Sequence, residues 1–211
     1  MPSTTINSTR QELTRLKGRL RTAQRGHKLL KDKRDELMKQ FMDVVRENRA
    51  LRRKVEESLM RANGSFTVAA ALMSPEMLEQ SLLYPKESVS VDMTFQNIMS
   101  VNVPVFTLDM TGNTRAQGCN YGLAFTTGEL DASVEALNSV LTDLVRLAQM
   151  EKTAQLLAQE IEKTRRRVNA LEYVMIPDLQ KNIKYISMKL EENENSTKVR
   201  LMKVKEMVLQ D

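Results

Sequence analysis

Across 211 residues the chain has one histidine, one cysteine, no tryptophan, seven glycines and an aromatic content of 4%. Each scarcity excludes something. Catalysis at neutral pH usually needs a base, most often histidine, beside a nucleophile and oriented donors. His27 is the single histidine, and it falls on an apolar helical stripe, where tuning helix pairing is the better reading. Cys119 has no histidine near it in sequence and reads as a small buried hydrophobe. A lone cysteine makes no internal disulfide, and Met1 to Gln11 lacks the apolar stretch of a secretory signal, so an intracellular, reducing compartment is expected. Few aromatic rings fit a helical rod better than a layered core.

Proline is missing from Pro2 to Pro75. In that gap Leu13, Leu16, Leu20, Ala23, His27, Leu30, Arg34, Leu37, Phe41, Val44, Asn48, Leu51, Val55, Ser58 and Ala62 recur three and four apart. A strip sustained over about seven heptads predicts one long helix with a helical partner. A second stretch, from about Leu130 to Leu209, opens with Leu130, Val134, Leu137, Leu141 and Leu144. It continues through Leu171, Met175, Leu179, Ile183, Ile186 and Leu190. At 1.5 Å per residue the two would span on the order of 95 and 120 Å. The simplest burial for both is an antiparallel pair. The expected fold is therefore mostly α, a long antiparallel two-helix coiled coil with a small β-hairpin insert at the turn end. Its parts are an N-terminal helix over 1–74, an insert over 75–128 and a C-terminal helix over 129–211. Two helices that each seek a different protein are the alternative.

Within the insert, Val89, Val91, Met93 and Phe95 alternate with Ser88, Ser90, Asp92 and Thr94, the pattern of a half-buried strand. Val101, Val103 and Val105 alternate again, and Cys119, Tyr121, Leu123 and Phe125 do so more weakly, which predicts a hairpin with room for a third strand. Pro104 cannot donate to a ladder, so its strand should lie at an edge or end early. Gly112 to Gly118 has the glycine spacing of a phosphate loop, but Cys119 stands where the lysine belongs, and nucleotide binding is rejected. Glu191, Glu192 and Glu194 lack the histidine or cysteine companions of a transition-metal site. No enzyme, metal or cofactor is expected. The longest nearly apolar run, Phe66 to Met73, is far below the roughly 18 residues of a membrane span.

Charge is uneven. Residues 1–62 hold 17 Lys and Arg against 8 Asp and Glu, residues 63–128 hold 2 against 5, and residues 129–211 hold 13 against 14. Between Arg10 and Arg34 ten cations face Glu12 and Asp32 alone, so this end sits among anions or in water. Arg10, Arg19, Arg25 and Lys28 are candidate contacts. Met188, Met202 and Met207 are candidates near the C-terminus, because the thioether adapts to changing neighbours. Arg165, Arg166 and Arg167 precede Pro177, which should bend the second helix.

Several blocks together resemble the D subunit of the V-type and A-type rotary ATPases, the central rotor shaft. They are Leu16-Lys17-x-Arg19-Leu20, Ala23, Arg25-Gly26 and Leu29-Leu30-Lys31-x-Lys33-Arg34-Asp35-Glu36-Leu37. Asn97-Ile98-Met99 with Val103-Pro104 follow, then Arg166-Arg167-Val168-Asn169-Ala170-Leu171-Glu172 with Ile176-Pro177. Ser100 departs from the glycine of that pattern. The resemblance implies a non-catalytic component, cytoplasmic and peripheral to the membrane, that transmits torque between an ATP-hydrolysing head and an ion-translocating membrane ring. Its implied partners are the A and B subunits around both termini, a socket protein at the other end, and the F subunit against Leu147, Met150, Ala154, Arg165 and Arg166. The direct rivals are a basic coiled coil that binds nucleic acid, whose binding would weaken steeply with salt, and a membrane-surface scaffold drawn to anionic lipid.

Overall fold

The computed structural model describes residues 7–83, 88–111 and 126–210. Helix α1 runs Arg10–Leu72 and a short α2 runs Pro75–Leu82. Strands β1 (Ser88–Ile98) and β2 (Val101–Thr111) follow, then α3 (Gly128–Ala170), a π turn over Leu171–Met175, and α4 (Ile176–Gln210). The third strand expected around Cys119 to Phe125, and the glycine-spaced Gly112 to Gly118, lie outside the described residues.

Helix α1 starts where Thr9 precedes Glu12 by three. The Glu12 amide donates to Thr9 Oγ1 at 3.2 Å, which satisfies one of the four amides a helix start leaves without partners. Every one of the fifteen stripe positions from Leu13 to Ala62 is buried or half-buried, while off-stripe apolar residues such as Leu29 and Met60 are exposed. The chain divides into two compact units, one of residues 1–36 with 161–211 and one of residues 37–160.

In the first unit, Leu16, Ala23, Leu179 and Ile186 form a buried cluster, and Leu13, Leu20, Leu171, Ile176, Ile183 and Leu190 pack on it. Arg10 meets Glu194 at 2.6 Å and His27 Nε2 meets Glu172 at 3.3 Å. Rising numbers on one helix meet falling numbers on the other, so the helices are antiparallel.

The second unit repeats that arrangement. Arg52 faces Glu151, Lys54 Nζ lies 2.8 Å from Asp143, and the Ser133 hydroxyl donates to the Ala62 carbonyl at 3.2 Å. Ser133 is fully buried, and that bond offsets the cost of removing its hydroxyl from water. Ala69, Met73 and Leu130 close the core, with Phe66, Met77, Leu78 and Val134 against them.

Two stripe residues of α3 depart from expectation. Leu137 is 41% exposed and Leu144 36%, while Ser133 and Val140 are buried and Ala136 and Asp143 half-buried. The seam follows the adjoining heptad positions, where one serine and one aspartate hold places that an apolar count passes over.

Met175 also leaves the seam, being 49% exposed. Buried and half-buried positions run Val168, Leu171, Ile176, Leu179, Ile183 and Ile186, a step of five amid threes and fours. The π turn produces that step, with the Ile176 amide donating to the Leu171 carbonyl. Pro177 has no amide to give Tyr173, and its ring would press on that carbonyl in a regular α-turn. One extra residue in the turn accommodates the ring.

The strands pair antiparallel, from Ser88 opposite Thr111 to Ile98 opposite Val101. Met99 and Ser100 make the turn with φ of 49° and 71°, both left-handed, which matches the twist of the flanking strands. The Ser100 amide donates to Asn97 Oδ1 at 3.0 Å, and the Asn97 side-chain amide donates to Asn102 Oδ1 at 2.8 Å. Ser100→Gly should raise hairpin stability by about 0.5 to 1 kcal/mol, since glycine takes positive φ without the Cβ penalty. Slower amide exchange across the hairpin checks this; faster exchange would mean the serine hydroxyl matters more than its backbone.

Val89, Val91, Met93 and Phe95 were expected on the covered side of β1 and are instead 41 to 65% exposed. The valines of β2 pack in their place: Val101 and Val103 are buried, and register puts them opposite Ile98 and Gln96, on the other face of the ribbon. The Phe106 amide donates to Gln149 Oε1 of α3 at 3.1 Å, so Phe106 points its backbone away from β1. Pro104 shares that parity, and its missing donor costs the ladder nothing.

Candidate interaction surface

Among the described residues there is no group of three or more His, Cys, Asp or Glu that could hold a metal, and no helix long and apolar enough to cross a membrane. What the molecule offers instead is surface.

The cationic end of α1 comes first. Arg19, Arg25 and Lys28 are exposed, and among the described residues no ion pair engages them or Lys17 and Arg21. Arg10 is exposed too, but Glu194 occupies it, and Arg15 lies 3.3 Å from Glu12. Exposed pairs of this kind contribute about 0 to 1 kcal/mol each.

The C-terminal stretch is the second feature. Helix α1 begins at Arg10, beside Glu194, and every described side chain from Glu191 to Leu209 is exposed. Val199, Leu201, Met202, Val204, Met207, Val208 and Leu209 are between 51 and 74% exposed, and they are spread around most of the helix. Arg200, Lys203, Lys205 and Glu206 are interspersed among them, so the stretch has no single apolar face. Met188, Met202 and Met207, at 58 to 60% exposed, belong to this set. Nearby, the hydrogen bond and charge of Glu192 hold the Lys189 ammonium above its usual pKa.

Leu147, Met150 and Ala154 are half-buried in α3 of the second unit, so each has part of its surface committed within the chain. Arg165 and Arg166 belong to the first unit and are exposed, with Arg166 paired to Glu162.

Sequence reasoning missed a groove of about 660 Å³ in the first unit. Arg15, Gly18, Arg19, Thr22, Ala23 and Gly26 of α1 line it together with Leu171, Met175 and Leu179. Glycines eight apart, with Thr22 midway, put three small residues on one face of a helix, and that spacing was the available signal.

The family described as the D subunit of ATP synthase matches residues 12–206. The V-type ATP synthase D subunit of Acetivibrio thermocellus is 60% identical over 205 residues, covering 97% of this chain and 92% of that protein. Its counterpart in Clostridioides difficile is 61% identical over 204 residues, with 97% and 91% covered. The one in a Thermoanaerobacter species is 54% identical over 204 residues, with 97% of each covered. With antiparallel seams, a two-stranded insert and a match over nearly its whole length, the chain belongs to the D-subunit family of the V-type ATP synthases.

Proposed function

We propose that this chain is the non-catalytic central shaft of a V-type rotary ATPase, carrying torque between the ATP-hydrolysing head of A and B subunits and the ion-translocating membrane ring. The observation that carries this reading is the C-terminal stretch from Val199 to Leu209, which is exposed and carries apolar residues around most of the helix. Such a helix end is stable when a collar encloses it. Both termini then lie in the bore of the head, where Arg10, Arg19, Arg25 and Lys28 meet acidic and polar groups, and Met188, Met202 and Met207 give soft contacts.

The antiparallel seams supply the mechanical property. Twisting or bending a paired helix breaks a buried stripe at many levels at once, so rotation at one end reaches the other. Weak exposed charge contacts suit a bearing that must let go at each step. Tightly buried ion pairs would hold the shaft in place, because losing either partner can cost about 3 to 5 kcal/mol.

In this reading the helices over 1–74 and 129–211 make the shaft, and the insert over 75–128 sits on a socket protein above the membrane ring. The F subunit takes the side bearing Leu147, Met150, Ala154, Arg165 and Arg166. The chain works on the cytoplasmic side, peripheral to the membrane, and hydrolyses nothing itself.

Co-expression with the A, B and F subunits tests the assignment. Purification of the tagged chain should recover one shaft and one F per hexamer of A and B, with ATPase activity residing in the hexamer. Recovery of a free homodimer instead would point to a scaffold.

A further inference from the structure

Strand β1 runs for 11 residues without a proline, lysine or arginine, and its register with β2 is unbroken from end to end. Native proteins usually blunt an open strand edge with such residues, with a bulge or with a covering element, because unpaired amides and carbonyls invite another chain. Asp92 is the single charge on this strand.

The direction of the edge follows from β2. The Phe106 amide donates to Gln149 Oε1 of α3 at 3.1 Å, away from β1. Phe106 and Met93 therefore form a non-hydrogen-bonded pair, and Met93 turns its own amide and carbonyl outward. Every second residue does the same, which makes Val89, Val91, Met93 and Phe95 the outward-facing set. Among the described residues their amides have no partner. The same four carry exposed apolar side chains, on one face with Leu108, Phe106 and Pro104 opposite them. Free backbone and uncovered apolar surface coincide on one strand.

Charge indicates what fits there. The other face of the ribbon holds Asp92 and Asp109, both exposed and in no ion pair among the described residues. Residues 63–128 hold five Asp and Glu against two Lys and Arg. A second copy of β1 would bring its own Asp92 to the same face, and an anionic lipid surface would meet like charge, so both are disfavoured. A strand with lysine or arginine on that face is favoured.

We propose that the outer edge of β1, from Val89 to Phe95, is a strand-addition site for an extended partner segment in which apolar residues alternate with lysine or arginine. Main-chain bonds to the four residues supply affinity, apolar side chains cover Val89 to Phe95, and the cations meet Asp92. This goes beyond the shaft reading and does not rest on it.

The full-length chain and a synthetic peptide of alternating valine and lysine test the site. Saturating peptide should slow exchange of the Val89, Val91, Met93 and Phe95 amides by about tenfold or more, and leave those of Ser90, Asp92 and Thr94, which face β2, within about twofold. A peptide of alternating valine and glutamate should bind about tenfold more weakly, and Asp92→Asn should weaken the lysine peptide by about fivefold. Val91→Pro removes one outward donor where an edge strand tolerates proline, and should cost about tenfold in affinity while Ser90, Asp92 and Thr94 exchange as in the parent. Val91→Thr retains the donor and should bind within about threefold of the parent. No binding of the lysine peptide, unchanged exchange at the four amides in its presence, or equal affinity for the glutamate peptide overturns the proposal. So does protection of the four amides in the chain alone, since the edge would then be filled by the chain itself or by a second copy. None of these results touches the shaft reading, which co-expression with A, B and F tests separately.

Discussion

Ile186→Ala should speed amide exchange across Leu16 to Ala23, on the other helix, by about thirtyfold or more. Ile186 is fully buried among Leu16, Ala23 and Leu179. Removing three methyl or methylene groups from such a site and leaving a cavity costs about 2 to 5 kcal/mol, and each 1.4 kcal/mol is a factor of ten. Exchange is the right readout because the chain has two compact units, and a single melting curve would mix them. Met188→Ala, two residues away and 60% exposed, should leave the same amides within about 0.5 kcal/mol of the parent. Equal effects from the two substitutions would mean that α1 and α4 do not share a seam in solution.

Helix α1 was legible in full because nothing competed with its pattern. Fifteen positions in steps of three and four, with no proline, admit one periodicity, and all fifteen are covered. Leu137 and Leu144 misled because leucine forms helix equally well whether or not it is covered, while Ser133 and Asp143 hold seam positions through a hydrogen bond and an ion pair. The hairpin's strands were readable, but its packed face was not. Both faces of the ribbon carry apolar residues, Val89 to Phe95 on one and Val101 to Val105 on the other, and alternation reports two faces without saying which one a helix covers. The candidate surfaces divide the same way. Charge is visible in composition, so the cations of α1 stood out. A groove is made by what is absent, and Gly18 and Gly26 become informative once it is known that no neighbour approaches them.

Pro177 predicts a bend, and the π turn found in its place yields the second large effect. Deleting Lys184, an exposed residue of α4, should turn everything after it by about 100° about the helix axis. Ser187 and Glu191 would then take the seam positions of Ile186 and Leu190. Exposing two such side chains costs about 1.5 to 3 kcal/mol each, on the order of 3 to 6 kcal/mol together, enough to separate α4 from α1 near Leu13 and Leu16. Deleting Val174 in a Pro177→Ala background removes the same number of residues and should cost less than about 1 kcal/mol. Val174 lies inside the five-residue step and is 56% exposed, so its loss converts that step to four. With the proline gone, ordinary α hydrogen bonds can close across the site. Ile176, Leu179, Ile183 and Ile186 then keep their places opposite Leu13 to Ala23. Amide exchange on α1 distinguishes the two deletions directly. Comparable damage from both would show that the turn is held by contacts of its own; the difference expected here would show that it exists to keep two stretches of one seam in phase around a proline.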